Sequence, residues 1–108
     1  MEVKHLIAAV TTLAISGLAS SAWAFNCPVH FQAAQSSIDI AVSAMEAVSD
    51  KTKKGLVHTL IDDAKTFLHS AKHNHEKPAA GGYDHARSLA KADSAIAYAK
   101  AAETLAKN

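Results

Sequence analysis

Apolar residues recur at steps of three and four positions along most of the chain after residue 30. This spacing is typical of one face of an amphipathic α-helix. Three stripes of this kind are present: Phe31, Ala34, Ile38, Ala41, Met45 and Val48; Val57, Leu60, Ile61, Ala64, Phe67, Leu68 and Ala71; and Ala86, Leu89, Ala92, Ile96 and Ala99. The pattern predicts three helices whose apolar faces pack together.

Two interruptions separate the stripes. The segment 49–55 loses the apolar period and ends in Gly55, which predicts a turn. Pro78 and the Gly81-Gly82 pair cannot continue a helix, so the second helix should end near His75 and the third should begin around residues 83–84. Because both connections are short, we expect an all-α fold, a small up-and-down antiparallel helical bundle of three main helices with room for a fourth short one.

The first 24 residues carry the features of a secretory signal. An apolar segment follows Lys4 and His5 and ends in the tripeptide 22–24, Ala-Trp-Ala, which has the small-x-small pattern of a signal-peptidase site. We predict that residues 1–24 are cleaved and that residues 25–108 form one helical-bundle domain in a bacterial periplasm. The apolar run is near the minimum length for crossing a bilayer and does not end in basic anchors, so no membrane association is expected after cleavage.

Composition argues against several classes of function. Eleven Lys and Arg residues nearly balance ten Asp and Glu residues, so bulk charge attracts neither nucleic acid nor anionic lipid. No catalytic carboxylate pair, Ser/His/Asp set or Gly-rich phosphate loop is recognisable, and we expect no enzyme. The single cysteine, Cys27, cannot form an internal disulfide, which leaves a free thiol, a metal ligand or an intermolecular bridge in a homodimer.

Histidines are the chemically distinctive residues of the chain. Six of the seven lie within residues 25–108. A helix turns by about 100° per residue, which places four polar residues of the second helix within about 60° of one another. The apolar stripe of that helix lies roughly 150° away, so this polar stripe should face solvent. Its members are His58, Asp62, His69 and His73.

The spacing of these side chains suits metal binding. Two imidazoles four residues apart, as at 69 and 73, lie one turn apart and can hold one ion, with open positions for water or other donors. Such a site favours Cu(II), with Ni(II) and Zn(II) as alternatives, and a single cysteine rules out sulfur-rich structural zinc. The predicted ligands are His58, Asp62, His69, His73, His75 and, across the Pro/Gly loop, His85. We expect reversible sequestration of the metal, reversed when the imidazoles are protonated.

The same residues carry a resemblance to a known family. The segment from Gly55 to His75 and the tripeptide 84–86, Asp-His-Ala, resemble the small metal-binding proteins of the bacterial periplasm. That resemblance implies a short helical bundle that binds copper and other divalent metals. It transfers to this chain at His58, His69, His73 and His85. Family members carry histidines along every helix, whereas the first helix predicted here has only His30.

Two alternatives use other residues. Cleavage after Ala24 would leave Cys27 as the third residue of the mature chain, where the amine, a backbone nitrogen and the thiol can chelate copper or nickel. A metal-independent adaptor, stress or chaperone-like module would instead use apolar side chains that fall off the main stripe, such as Tyr98 and Leu105. Stability that does not respond to metal would favour that second alternative.

Overall fold

Three α-helices account for most of the structure. The structure is a computed structural model, and it describes residues 26–108; the predicted signal segment, residues 1–24, lies outside the described residues. The helices are α1 (Cys27–Glu46), α2 (Lys51–Glu76) and α3 (Gly82–Lys107). Residues 26–108 contain no strand, and each helix packs against the other two. The predicted small all-α bundle is confirmed.

The connection between α1 and α2 is shorter than the sequence pattern predicts. α2 begins at Lys51, so the prediction of a turn as far as Gly55 was wrong. Asp50 explains the early start, because its carboxylate accepts a hydrogen bond from the main-chain N–H of Thr52 at 3.0 Å and so caps the helix. Gly55 then lies inside the first turns of α2, where it costs about 1 kcal/mol relative to alanine.

The α2–α3 connection lies where Pro78 and the glycines predict it. α2 ends at Glu76 and α3 begins at Gly82. Gly81 adopts a φ of 59°, a left-handed conformation that side chains disfavour and that glycine permits. Both connections are only a few residues long, so the start of α1, the end of α2 and the start of α3 lie at the same end of the bundle.

Small residues dominate the core. α1 and α2 bury the stripes that their sequences predict, with Ile38, Val57 and Ile61 among the largest fully buried side chains. The core cluster comprises Ala34, Ile38, Ala41, Val57, Ile61, Ala64, Leu68, Ala95, Ala99 and Ala102. Alanine at so many positions lets the helix axes approach closely. No helix within residues 26–108 combines the length and apolar character needed to cross a membrane.

The buried face of α3 agrees only in part with the predicted one, since Ala92 and Ala99 are fully buried as predicted but the other three positions are not. Ala86 is exposed, and Leu89 and Ile96 are only partly buried. The buried positions are Asp84, Ser88, Ala92, Ala95, Ala99 and Ala102. The prediction took the larger apolar residues as the inward-facing ones. α3 carries alanines on every face, and two polar residues, Asp84 and Ser88, occupy its buried face. Ser88 is accommodated there because its hydroxyl donates a hydrogen bond to the main-chain oxygen of Ala71 at 2.6 Å.

Candidate metal centre

One side chain from each helix meets at a single end of the bundle. Cys27 is the first residue of α1, His75 is the penultimate residue of α2, and His85 is the fourth residue of α3. One potential ligand atom from each, the Cys27 Sγ and a ring nitrogen of each histidine, lies within 4.8 Å of the other two. Within residues 26–108, no other group of three His, Cys, Asp or Glu side chains converges in this way.

The thiol of this cluster is enclosed. Cys27 is 2% exposed. Its Sγ lies 3.7 Å from the main-chain oxygen of His85, to which the thiol donates a weak hydrogen bond. The preceding residue, Asn26, caps α1 in a left-handed conformation, which asparagine tolerates better than most residues. The thiol lies at the N-terminal end of α1, where the helix dipole is positive.

His75 presents a nitrogen that has no partner. Its Nδ1 is buried and makes no hydrogen bond. The ring packs edge-on against Phe31, at a centroid distance of 5.5 Å, and edge-on against His85 at 5.4 Å. Buried polar atoms in folded proteins are nearly always hydrogen-bonded, so an exception needs a reason. A metal ion bound between His75 and its two neighbours would satisfy this nitrogen.

A buried polar network fixes the loop beside the cluster. Asp84 is 7% exposed, and its carboxylate accepts hydrogen bonds from the main-chain N–H of Ala80 at 2.6 Å and from the Asn74 amide at 3.5 Å. The ammonium of Lys91 donates to the Asn74 side-chain oxygen and to the Ser70 hydroxyl, at 2.7 Å each. Asn74 and Asp84 directly precede His75 and His85, so the network holds the backbone at both histidines.

The predicted stripe on α2 lies on the surface. His58, Asp62, His69 and His73 are all exposed, as the helical geometry predicted. The Nδ1 of His58 lies 3.4 Å from the Asp62 carboxylate, so these two side chains do form a pair. The predicted ligands do not form one site. His75 and His85 lie close to each other and to Cys27, and the four exposed residues of the stripe are not part of that cluster.

The surroundings of His69 are unfavourable for a cation. His69 borders a surface groove between α1 and α2 that is also lined by Lys65 and Lys72. Two ammonium groups beside an imidazole repel a metal ion, although water and salt screen part of that repulsion. The exposed stripe is therefore a weaker candidate for metal binding than the enclosed cluster.

The residues on which the alternatives rely make contacts within the fold to different extents. Tyr98 stacks on Phe67 at a centroid distance of 5.2 Å, and Leu105 packs against the core. Cys27 is buried, so a disulfide-linked dimer would require this end of the bundle to open. The adaptor alternative could still use Tyr98, which is 38% exposed despite its stacking on Phe67, and other apolar side chains such as Leu56, which is 56% exposed.

Two of the three clustered residues were predicted as ligands from the sequence, and the role of the third was left open. His75 and His85 were expected to ligate metal. Cys27 was left open as a free thiol, a metal ligand or an intermolecular bridge, and the one metal site suggested for it was an N-terminal chelate. The missing signal was topological. In an up-and-down bundle of three helices, the first residues of helices one and three and the last residues of helix two must share an end.

Comparisons with protein-family models, with curated proteins and with solved structures find no match for this chain. The interpretation of the centre therefore rests on its own residues and geometry.

Proposed function

We propose that this protein binds a thiophilic transition-metal ion, copper or zinc, through Cys27, His75 and His85, and that it sequesters the metal reversibly in the periplasm. The observation that carries the proposal is the convergence of three donor atoms from three helices within 4.8 Å. The buried Nδ1 of His75, which has no hydrogen-bond partner, supports it independently.

The donor types narrow the class of ion. Thiolate and imidazole are soft and intermediate ligands, which favour copper and zinc over magnesium and calcium, whose preferred ligands are oxygens. No carboxylate belongs to the cluster. The set also differs from structural zinc sites, which use four protein ligands.

Reversibility follows from the chemistry of the same donors. A metal displaces the thiol proton and requires neutral imidazoles, so binding releases protons and acid reverses it. The exposed residues on α2, His58, Asp62, His69 and His73, provide separate, weaker donors for Cu(II), Ni(II) or Zn(II). They become relevant only when the enclosed centre is full.

Titration of the purified, metal-free protein under anaerobic, reducing conditions tests this function. Co(II) reports directly on the ligands, because cobalt bound to a thiolate absorbs strongly in the near ultraviolet. We expect one Co(II) per chain with that absorption, and its loss in Cys27→Ser. The matched control is the double variant His69→Ala/His73→Ala, which removes two histidines from the surface and should bind like the parent protein.

The outcomes separate the alternatives. Binding that survives Cys27→Ser but fails in the double variant would assign the metal to the surface of α2 and overturn the proposed centre. Absence of tight binding in every form would favour the metal-independent adaptor.

A further inference from the structure

The centre offers one buried thiol and two partly buried imidazoles, and this combination selects among metal ions. Building on the metal-binding function proposed above, we infer that the centre is specific for copper in the +1 state. The ion would be held in three-coordinate geometry by the Cys27 Sγ and one ring nitrogen each from His75 and His85.

The number of protein ligands is the first argument. Among residues 26–108, no fourth His, Cys, Asp or Glu atom joins the three. His30, one turn after Cys27, is already engaged, since its Nδ1 lies 2.7 Å from the Asp93 carboxylate. Zn(II) in proteins is almost always four-coordinate, and Ni(II) prefers tetragonal sets of nitrogen and oxygen. A trigonal set of one thiolate and two imidazoles is a copper arrangement, in which Cu(II) takes a further weak axial ligand. Cu(I) is a soft, closed-shell ion that accepts three ligands with no directional demand for a fourth.

Enclosure is the second argument, because it limits water as a substitute ligand. Cys27 is almost fully buried and the His75 Nδ1 has negligible accessible surface. Phe31 covers one side of the His75 ring with its own aromatic ring. Zn(II) and Cu(II) would need one or more waters to complete their coordination. The Cys27 thiol and the His75 Nδ1 are shielded from water, while the His75 and His85 side chains as a whole are partly buried.

Charge is the third argument. A thiolate and Cu(I) together are neutral, whereas a thiolate and a divalent ion leave one positive charge in a buried site, which is unfavourable unless compensated. Among residues 26–108 the buried anion is Asp84, but its carboxylate already accepts two hydrogen bonds and lies 3.6 Å from the Arg87 guanidinium. The Lys91 ammonium adds further positive charge to the same network. The surroundings thus favour a monovalent ion.

A competition experiment tests the selectivity separately from the function. The protein is first loaded with Co(II) under anaerobic conditions, and Cu(I) is then added from a chromophoric chelator of known affinity. We expect stoichiometric displacement of cobalt, with a dissociation constant for Cu(I) at least about a thousandfold below that for Zn(II). X-ray absorption at the copper edge should show one sulfur and two nitrogen neighbours.

Variants identify the ligands. Cys27→Ser and His75→Gln should each weaken Cu(I) binding at least about tenfold, while His69→Ala/His73→Ala should leave it unchanged. Circular dichroism establishes that each variant is helical, and His75→Gln provides a second readout where the cysteine variant does not fold.

Two results would overturn the inference in distinguishable ways. One result is that cobalt or zinc binding depends on Cys27 but Cu(I) does not displace the bound ion, or that the X-ray absorption spectrum shows four-coordinate copper. Either would remove the selectivity for Cu(I) and leave the metal-binding function standing. Failure of every tested ion to bind in a Cys27-dependent manner would remove both.

Discussion

The thiol of Cys27 lies 3.7 Å from the main-chain oxygen of His85, 58 positions further along the chain. This contact joins the first residue of α1 to the first turn of α3, and His75 adds the end of α2. A metal held by these three residues would connect all three helices at one end. Because the unfolded chain cannot arrange the three donors in this way, binding should favour the folded state.

Thermal unfolding should therefore depend on metal. At a free metal concentration about a hundred times the dissociation constant, the free energy of unfolding should rise by roughly 2.7 kcal/mol. For a domain of this size, that corresponds to an increase in Tm on the order of 10 °C. Far-ultraviolet circular dichroism with and without Cu(I) or Zn(II) measures it. An equal increase in Cys27→Ser would contradict the assignment of the metal to this centre.

Removal of the exposed α2 histidines should have little effect on tight binding. The double variant His69→Ala/His73→Ala leaves Cys27, His75 and His85 intact, and both substituted positions are exposed. We expect an unchanged dissociation constant for the first metal and a reduced capacity for additional Cu(II). Isothermal titration calorimetry resolves the two classes of site. A loss of the tight phase in this variant would restore the interpretation based on the surface stripe.

Acidification should release the metal. The bound state needs a thiolate and two neutral imidazoles, while the free state can bind protons at all three groups, so affinity must fall as the pH falls. We expect at least about a tenfold weaker affinity at pH 5 than at pH 7, because histidine takes up a proton in this range. Competition titrations at several pH values provide the measurement. An affinity that does not change with pH would exclude imidazole and thiolate ligands.

Asp84 should be important for stability because it connects the loop to both helices. Asp84→Ala would leave the Ala80 N–H and the Asn74 amide without their acceptor. Loss of a buried acceptor costs about 1–3 kcal/mol, and urea unfolding should show a decrease of that size. Asp63→Ala is the matched control, since Asp63 is an exposed aspartate on α2. Equal small effects of both substitutions would show that the network contributes little.

The helices could be predicted from the sequence because two physical signals agreed. In α1 and α2, large apolar residues such as Ile38 and Ile61 recur with the helical period, and they are buried. Pro78 and Gly81 mark the second connection because proline cannot continue a helix and glycine permits the positive φ found at residue 81. The first connection was placed wrongly because Gly55 suggested a break in the helix. The start of α2 is instead determined by the cap at Asp50, a single hydrogen bond that the apolar pattern does not reveal.

The candidate centre could be predicted only in part. His75 and His85 were recognisable as donors, but the part played by Cys27 depends on which helix ends share a side of the bundle. The buried face of α3 was likewise predicted only in part, at Ala92 and Ala99, because Asp84 and Ser88 are buried through hydrogen bonds that no periodicity of apolar residues reveals. Pairwise polar contacts between distant residues are specified by the packed structure and leave little trace in a single sequence.

The alanine-rich core should not tolerate larger side chains, because the helices pack closely there. Ala99 is completely buried in α3 and belongs to the core that α3 shares with α1 and α2. Ala99→Leu would add three carbon atoms where the helices approach closely, and such overpacking costs about 1–3 kcal/mol because side chains and backbone must shift. Ala90→Leu is the control, since it makes the same change at an exposed position of the same helix. Urea unfolding should show a large loss of stability for Ala99→Leu and little for Ala90→Leu, and the reverse order would contradict the observed burial of Ala99.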